Sequence, residues 1–499
     1  AAPSTCQDSE RSSDKMEELR INILNEKEIQ MIHDTTMKVL MEPGIKIDLP
    51  EAREIFRKNG CEVDDESWVV RIPESVMMKA LSTIPPRFTL YSRDGKHNVE
   101  MNSDGSVCNN NTFGIAANML HYVAPGRYER RPSTLKDLGN ICKVLDYCDC
   151  VEFTTTPVSA LDHADDPLRP LEEMRTMLYN TAKPLDLDSD STFFQDYFDI
   201  VCAVYNGDKE RAMNEPINTV AGCPVSPLEL DEELCRSAIY GPKYGMPVSM
   251  TGMAMAAASS PVHLAGTVVI HNAEVLTSLA LVQLANPGAK CIYGCTTTIF
   301  DFKTGAAPVG CPELGMITAA IACMARHYRI PTMGSTPLTD AKQPNTQAGY
   351  EKALTTMLPS LSGCSTMFGA GMMDLANTFC LEQLLLDNEL IRMMRHMRKG
   401  MRVDEETLSY ESIKAVGIGG CFLDTDETLA NIDLHVVPKF MFRGQYGDWV
   451  KEGCRDIADE AHDMVVKILS NPPMNPVPDE LRAKVDAIVE AKRKELEAQ

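Results

Sequence analysis

Acidic and aromatic side chains fall in this chain where one kind of chemistry would need them. Phe113, Phe153, Tyr293, Phe300 and Phe368 stand in or just beyond short β-rich runs, with Tyr350 close by. Asp301, Glu313 and Glu382 stand in the loops and helix starts that follow such runs. An aromatic face attracts a cation through its ring quadrupole, by roughly 0.5–2 kcal/mol. A carboxylate adds opposite charge. Together these residues predict a pocket for a positively charged ligand. Each also has an ordinary role: rings pack in cores, and Glu313, in the first turn of a predicted helix, complements the helix dipole.

The elements that must position these residues are set by the stretch Cys291–Glu351. A β-rich run (Cys291–Thr298), a Gly/Pro loop, a helical run (Pro312–Tyr328), another short run (Arg329–Ser335), a polar loop and a helix opening near Asn345 follow in turn. That alternation is the mark of parallel βαβ units. Ligands bind at the carboxyl ends of such strands, so the loops Phe300–Cys311 and Thr336–Pro344 are where chemistry is expected.

The same alternation predicts strands near Val107–Phe113, Val151–Pro157, Pro184–Asp188, Ile217–Ala221, Pro247–Thr251, Lys290–Thr296, Ile330–Ser335 and Ser365–Phe368. Eight parallel strands with helices between them fit an α/β fold, a (β/α)8 TIM barrel, over 106–375 better than an open sheet. Residues 16–105 predict an N-terminal α+β extension, with helices at Asn25–Leu40, Pro50–Asn59 and Pro73–Ile84. A hairpin, Phe88–Ser92 with Lys96–Glu100, follows, turning at Arg93-Asp94-Gly95. Residues 376–499 read as helical, with runs at Asp404–Val416, Asp448–Leu469 and Asp479–Glu497. The last repeats Leu481, Val485, Ile488 and Val489 at helical spacing. It predicts either a docked terminal helix or packing on a second copy, a homo-oligomer. Residues 1–15 are polar and unpatterned, a disordered leader or an added remnant, with Met16 as the natural start.

Composition excludes several function classes. The net charge is −23 over 499 residues, so no nucleic acid partner is expected, because binding one needs a basic face. No run reads as long enough to span a bilayer and no signal peptide is present, so no membrane association and a cytoplasmic location are expected. The 17 cysteines are scattered, mostly in apolar runs such as those around Cys202, Cys223, Cys291, Cys311, Cys323, Cys364 and Cys380. They predict small buried hydrophobes in a reducing compartment. No CxxC pair or zinc spacing occurs, and no metal site is expected. Phosphate-loop, HExxH and GxSxG motifs are absent. Gly369-Ala370-Gly371 predicts close backbone packing more than a phosphate nest.

Three long segments carry a family resemblance: TTTIFDFKTGAAPVGCPELGMITAAIACMARHYRIP, TDAKQPNTQAGYEKALTTMLPSLSGC and FGAGMMDLANTFCLEQLLLDNEL. With MEPGIKIDLPEAREIFRKNGCEVDD and SSPVHLAGTVVIHNAEVLTSLALVQLANPGAK, they resemble the trimethylamine methyltransferase family across nearly all of residues 20–495. The resemblance implies a (β/α)8-barrel enzyme that moves a methyl group from a methylated amine to the cobalt of a separate corrinoid protein. It implies no tightly bound cofactor, the corrinoid (cobalamin) being presented by that partner.

One departure matters. Archaeal trimethylamine enzymes carry pyrrolysine in the loop after the seventh barrel strand, before a segment like Thr339-Asp340-Ala341-Lys342. The matching position here is Leu338, and the family often has His where this chain has Tyr350. The resemblance then implies a non-pyrrolysine member acting on a quaternary amine of the glycine betaine, proline betaine or carnitine type. A betaine also carries a carboxylate, whose expected donors are backbone N–H groups of the Gly-rich loops and four side chains, Lys342, Thr296, Thr297 and Tyr350. Such a substrate already carries its activating charge, so no catalytic covalent or acid/base group is expected. The alternatives are a pyrrolysine-independent tertiary or secondary methylamine methyltransferase, and a betaine-binding sensor without activity. The residues expected at the substrate are Phe113, Tyr293, Thr297, Phe300, Asp301, Glu313, Leu338, Tyr350, Phe368 and Glu382.

Overall fold

A computed structural model describes residues 19–498, so the predicted leader lies outside the described residues. Eight short parallel strands form its centre: Asn109–Thr112, Thr154–Thr155, Leu185–Leu187, Asn218–Gly222, Val248–Gly252, Cys291–Cys295, Thr332–Gly334 and Thr366–Ala370. Each lies within a stretch predicted as a strand or overruns it by one or two residues. Each pairs with the next, the eighth pairs with the first, and a parallel bridge from Asn111 to Phe153 closes the ring. The fold is therefore a closed (β/α)8 barrel.

The strands alternate between two environments, as a pleat of period two requires. Phe153, Ile292, Met333 and Phe368 pack together inside the ring. Their neighbours face the helices: the Tyr293 hydroxyl donates to Asn272 Oδ1 on Leu264–Ala285, at 2.7 Å. That helix is apolar on every side because it lies between the barrel and the helices Glu26–Met41, Glu74–Leu81 and Glu232–Tyr240. It is long and apolar enough by composition to cross a membrane, which corrects the expectation that no run is, but most of it is buried inside this fold.

One end of the barrel is plugged. In the hairpin Arg87–Leu90 with Val99–Asn102, Phe88, Leu90, Val99 and Met101 insert among the inward residues of the strands. The backbone holds it at the amino ends of the strands: Tyr91 N donates to Pro216 O and Arg93 N to Ala182 O. Its connection is longer than the predicted tight turn, because Asp94 and Asn98 side chains accept backbone N–H groups and stabilise a loop instead. The chemistry is thus confined to the other end.

Two predicted helices change. Asp404–Val416 is helical only over Tyr410–Val416, because Asp404 accepts from the Thr407 N–H and holds a turn. Asp448–Leu469 divides into Tyr446–Lys451 and Ile457–Leu469, with Gly453 and Cys454 in the left-handed region between them. An unpredicted sheet also appears. Asn118–Ala124 pairs with Arg127–Pro132 and is extended by Thr378–Phe379, at the carboxyl side of the barrel. Its outer strand, RYERRP, is too charged to read as a strand. The terminal helix Asp479–Glu497 docks on its own chain: Arg493 Nη2 lies 3.0 Å from Glu172, and Val485 and Val489 are buried.

A buried ion pair fixes the backbone beside the open end. Lys352 Nζ donates to Asp387 Oδ2 (2.8 Å) and to Pro337 O (3.0 Å). Asp387 also accepts from Gly371 N (2.7 Å) and Gln383 Nε2 (2.8 Å). The loop after the seventh strand and the end of the eighth are so clamped to one carboxylate. A Cβ on Gly369 would lie 2.8 Å from Pro337 O, so only glycine allows this approach. That is the close packing predicted for Gly369-Ala370-Gly371. Removing one member strands the other charge in the interior. Lys352→Met should destabilise by about 3–5 kcal/mol in a denaturant titration, and adding Asp387→Leu should recover most of that loss. A single variant within about 0.5 kcal/mol of the parent would contradict the clamp.

Candidate functional site

At the carboxyl ends of the strands lies a cavity of about 410 Å³. The inner faces of the strands build it. Phe113 and Phe368, from the first and eighth strands, stack at 4.9 Å between centroids and 13° between planes. Leu338, 1% exposed, adds a wall from the loop after the seventh strand. Thr155, Thr251, Thr296 and Met333 contribute from other strands.

The charge in this cavity comes from residues outside the predicted set. Asp186 and Asp188 line it, from the third strand. Asp186 is buried and accepts from Thr155 Oγ1 (3.0 Å) on the second strand and Thr219 Oγ1 on the fourth. Asn111 Nδ2 in turn donates to Thr155 Oγ1 at 2.7 Å, so a polar chain crosses four strands inside the barrel. Burial raises the Asp186 carboxyl to about 6, against the opposing effect of the two hydroxyls. Asp188 borders both this cavity and a side chamber lined by Arg169, Glu173 and Tyr197. It is accessible through that concave space, and the surrounding protein raises its pKa. Burial also raises Glu173 to about 7. The signal for the aspartate pair lies in its alternation: in Pro184-Leu-Asp-Leu-Asp188 both carboxylates fall on one face of a strand that should be apolar on both.

The other predicted residues lie elsewhere. Tyr293 points outward, as its bond to Asn272 requires. Thr297 is one residue out of phase with Thr296, and His271 Nδ1 lies 2.7 Å from its hydroxyl behind the sheet. Phe300 packs edge-on against exposed Phe302 outside the cavity lining. Asp301 turns back on its own loop, accepting from Lys303 N and Thr304 Oγ1, which lower its pKa. Glu313 sits in the first turn of Pro312–Tyr328, at the positive end of the helix dipole. Tyr350, 69% exposed, borders a separate space beside Lys352. Glu382 is buried and lies 2.8 Å from His462 Nδ1. Of the four donors foreseen for an anionic group, only Thr296 reaches the cavity, and its hydroxyl donates to Gly252 O (3.0 Å). Lys342 pairs with Asp374 at 2.6 Å. Cys223, expected to be buried, lines the cavity and is accessible there.

The segment Asp374–Ala376 forms part of the rim, with three successive non-glycine residues in the left-handed region. Such residues cost about 1–3 kcal/mol each and gather at functional sites. Here the strain is held by Asp374 N to Ala341 O (2.9 Å) and Leu375 N to Thr339 O (3.3 Å). Among the described residues, no group of three or more His, Cys, Asp or Glu is placed to hold a metal ion. The arrangement suits a small organic cation: two rings on one wall, carboxyls on another, and apolar surface between.

The carboxyl pKa has a measurable consequence. Asp186 binds its proton more tightly in the folded chain than at its ordinary value of 3.8. Its contribution is therefore full below about pH 4 and is lost as pH rises through about 6. Asp186→Asn removes that loss. Between about pH 4 and pH 8 the stability of Asp186→Asn relative to the parent should rise by up to ~3 kcal/mol, read by denaturant titration. A difference independent of pH would contradict a buried, ionisable Asp186.

Comparison with known proteins agrees with this architecture. The family model described as trimethylamine methyltransferase (MTTB) matches residues 5–497. The trimethylamine methyltransferase of Methanosarcina thermophila is 44% identical over 92% of this chain and 95% of its own length. A trimethylamine methyltransferase of Desulfitobacterium hafniense is 33% identical over 93% of each chain. The glycine betaine methyltransferase of Desulfitobacterium hafniense is 30% identical over 96% of this chain and 98% of its own. The crystal structure of monomethylamine methyltransferase from Methanosarcina barkeri shares the fold, with a TM-score of 0.51 at 10% identity over 91% of this chain and 90% of that one. With a barrel whose open end carries an aromatic and anionic cavity, and with these matches along almost its whole length, the chain belongs to the trimethylamine methyltransferase family.

Proposed function

We propose that this protein transfers a methyl group from a quaternary ammonium compound to the Co(I) centre of a corrinoid held by a separate protein. The observation that carries the reading is the cavity itself. Phe113 and Phe368 stack on one side of it, Asp186 and Asp188 line it from the third strand, and Leu338 stands where pyrrolysine is expected. The relative named for glycine betaine supports a quaternary substrate in this family.

The chemistry asks little of the protein. The carbon–nitrogen bond breaks, and its electron pair leaves with nitrogen as a neutral tertiary amine. A carbon–cobalt bond forms, and cobalt passes from Co(I) to Co(III). No proton moves, so no general acid is required. The rings and carboxyls hold the cation and orient one methyl toward the mouth, and the apolar wall of Leu338, Met333 and Met255 excludes water. Positive charge disperses as the methyl departs. A site that held the cation too tightly would therefore slow the step.

The helices Tyr410–Val416, Asp426–Ala430 and Tyr446–Lys451 bury none of their residues. Met401, Leu423, Ile432 and Val437 around them are at least 70% exposed. This supports the homo-oligomer expected from the sequence, with a second copy covering the segment.

A second reading, transfer from protonated trimethylamine, is favoured by the higher identity to relatives named for that amine. The same cation site would take it. Incubation with cob(I)alamin and a panel of amines separates the two, followed by loss of the Co(I) absorbance. Turnover of quaternary compounds is expected, and turnover of trimethylamine alone would refute the proposal. In the same assay Phe368→Ala should lower kcat/KM for a quaternary substrate by roughly 2- to 30-fold, the worth of one cation–ring contact. An unchanged value would remove Phe368 from the site.

A further inference from the structure

The cavity also discriminates among quaternary compounds. Its lining holds two carboxyls, Asp186 and Asp188, and no lysine or arginine. Arg169 and Lys342 stand outside that lining. Arg169 stands in the side chamber beyond Asp188, with Nε 3.9 Å from Glu173. Lys342 is paired with Asp374, 2.6 Å away.

Methyl transfer fixes how a substrate sits. The departing methyl must face the mouth, where the acceptor approaches, so the largest substituent on nitrogen is turned inward or sideways. Inward lies Asp186, both of whose oxygens already accept hydroxyl hydrogens. Sideways lies Asp188, with Glu173 and Asp190 behind it in the side chamber. A carboxylate on that substituent would face Asp188, Glu173 and Asp190 with Arg169 as the one cation lining that chamber, and burial strengthens the excess of like charge. A hydroxyl there would instead donate to Asp188.

We infer that the preferred substrate is a quaternary ammonium compound with no acid group, bearing at most a hydroxyl: tetramethylammonium or choline rather than a betaine. This rests on the quaternary-amine reading above and sets aside the betaines expected from the sequence alone. The reason is physical: the cavity lining holds two carboxyls and no lysine or arginine.

Isothermal titration of the full-length chain at about pH 7.5 tests it, using tetramethylammonium, choline, glycine betaine, carnitine and trimethylamine. Tetramethylammonium and choline should bind at least 10-fold more tightly than glycine betaine or carnitine. Asp188→Asn should narrow that gap to less than 3-fold by relieving the repulsion, and the parent panel stands alone if this variant does not fold. Glycine betaine or carnitine binding as tightly as choline would overturn this inference and leave the quaternary-amine reading intact. Binding of trimethylamine with no quaternary compound bound would overturn that reading itself.

Discussion

A buried carboxylate held from two sides organises the open end of this barrel. Asp186 accepts hydroxyl hydrogens from Thr155 and Thr219, on the strands either side of its own, and Asn111 extends the chain to the first strand. A charge-bearing group in a barrel interior costs several kcal/mol unless hydrogen bonds offset the lost hydration. The hydroxyls offset only part of it, since the carboxyl still titrates near 6. The remaining cost is a latent attraction for any cation that enters. The interior below it is filled by Phe153, Ile292, Met333 and the plugging hairpin. The anionic character of the cavity therefore follows from how its floor is built.

The opposite wall answers that charge without neutralising it. The stacked rings of Phe113 and Phe368 offer polarisable faces that a methylated cation can touch closely, while the carboxyls supply longer-range attraction. Phe368 and Asp186 stand in the strands themselves and Phe113 and Asp188 one residue beyond them, so their spacing follows largely from barrel register. The clamp of Lys352 on Asp387 and Pro337 applies the same rigidity to the loop bearing Leu338. Leu338 thereby gives the cavity a fixed aliphatic wall on that side.

Much of the fold is legible in the sequence because short runs punctuated by Pro and Gly alternate with amphipathic helices, even where a strand is as polar as Asn109–Thr112. All eight appear where that punctuation places them. Side-chain direction is harder to read, since one residue of phase decides it. Tyr293 and Thr297 lie on the predicted strand and at its end, but their neighbours Ile292 and Thr296 are the ones that face inward. Asp301, Tyr350 and Glu382 satisfy the pattern of acidic and aromatic residues near strand ends, yet their loops and helices carry them away from the axis. The Leu-Asp-Leu-Asp run carries more information than its strand propensity. Its period-two alternation puts both carboxyls on one face, and in a closed barrel that face is the interior. The sheet built on RYERRP is illegible for the opposite reason: that outer strand is exposed and carries charge on both faces.

The central claim is that a fully alkylated cation rests between the two rings and the carboxyls of the third strand. Anomalous diffraction from crystals soaked in tetramethylarsonium, which keeps the shape and charge of tetramethylammonium and adds a strong scatterer, locates that cation directly. The arsenic peak is predicted inside the cavity, within about 6 Å of the Phe113 and Phe368 ring centroids. A peak in the space beside Tyr350 and Lys352, or none at saturating concentration, would contradict the account.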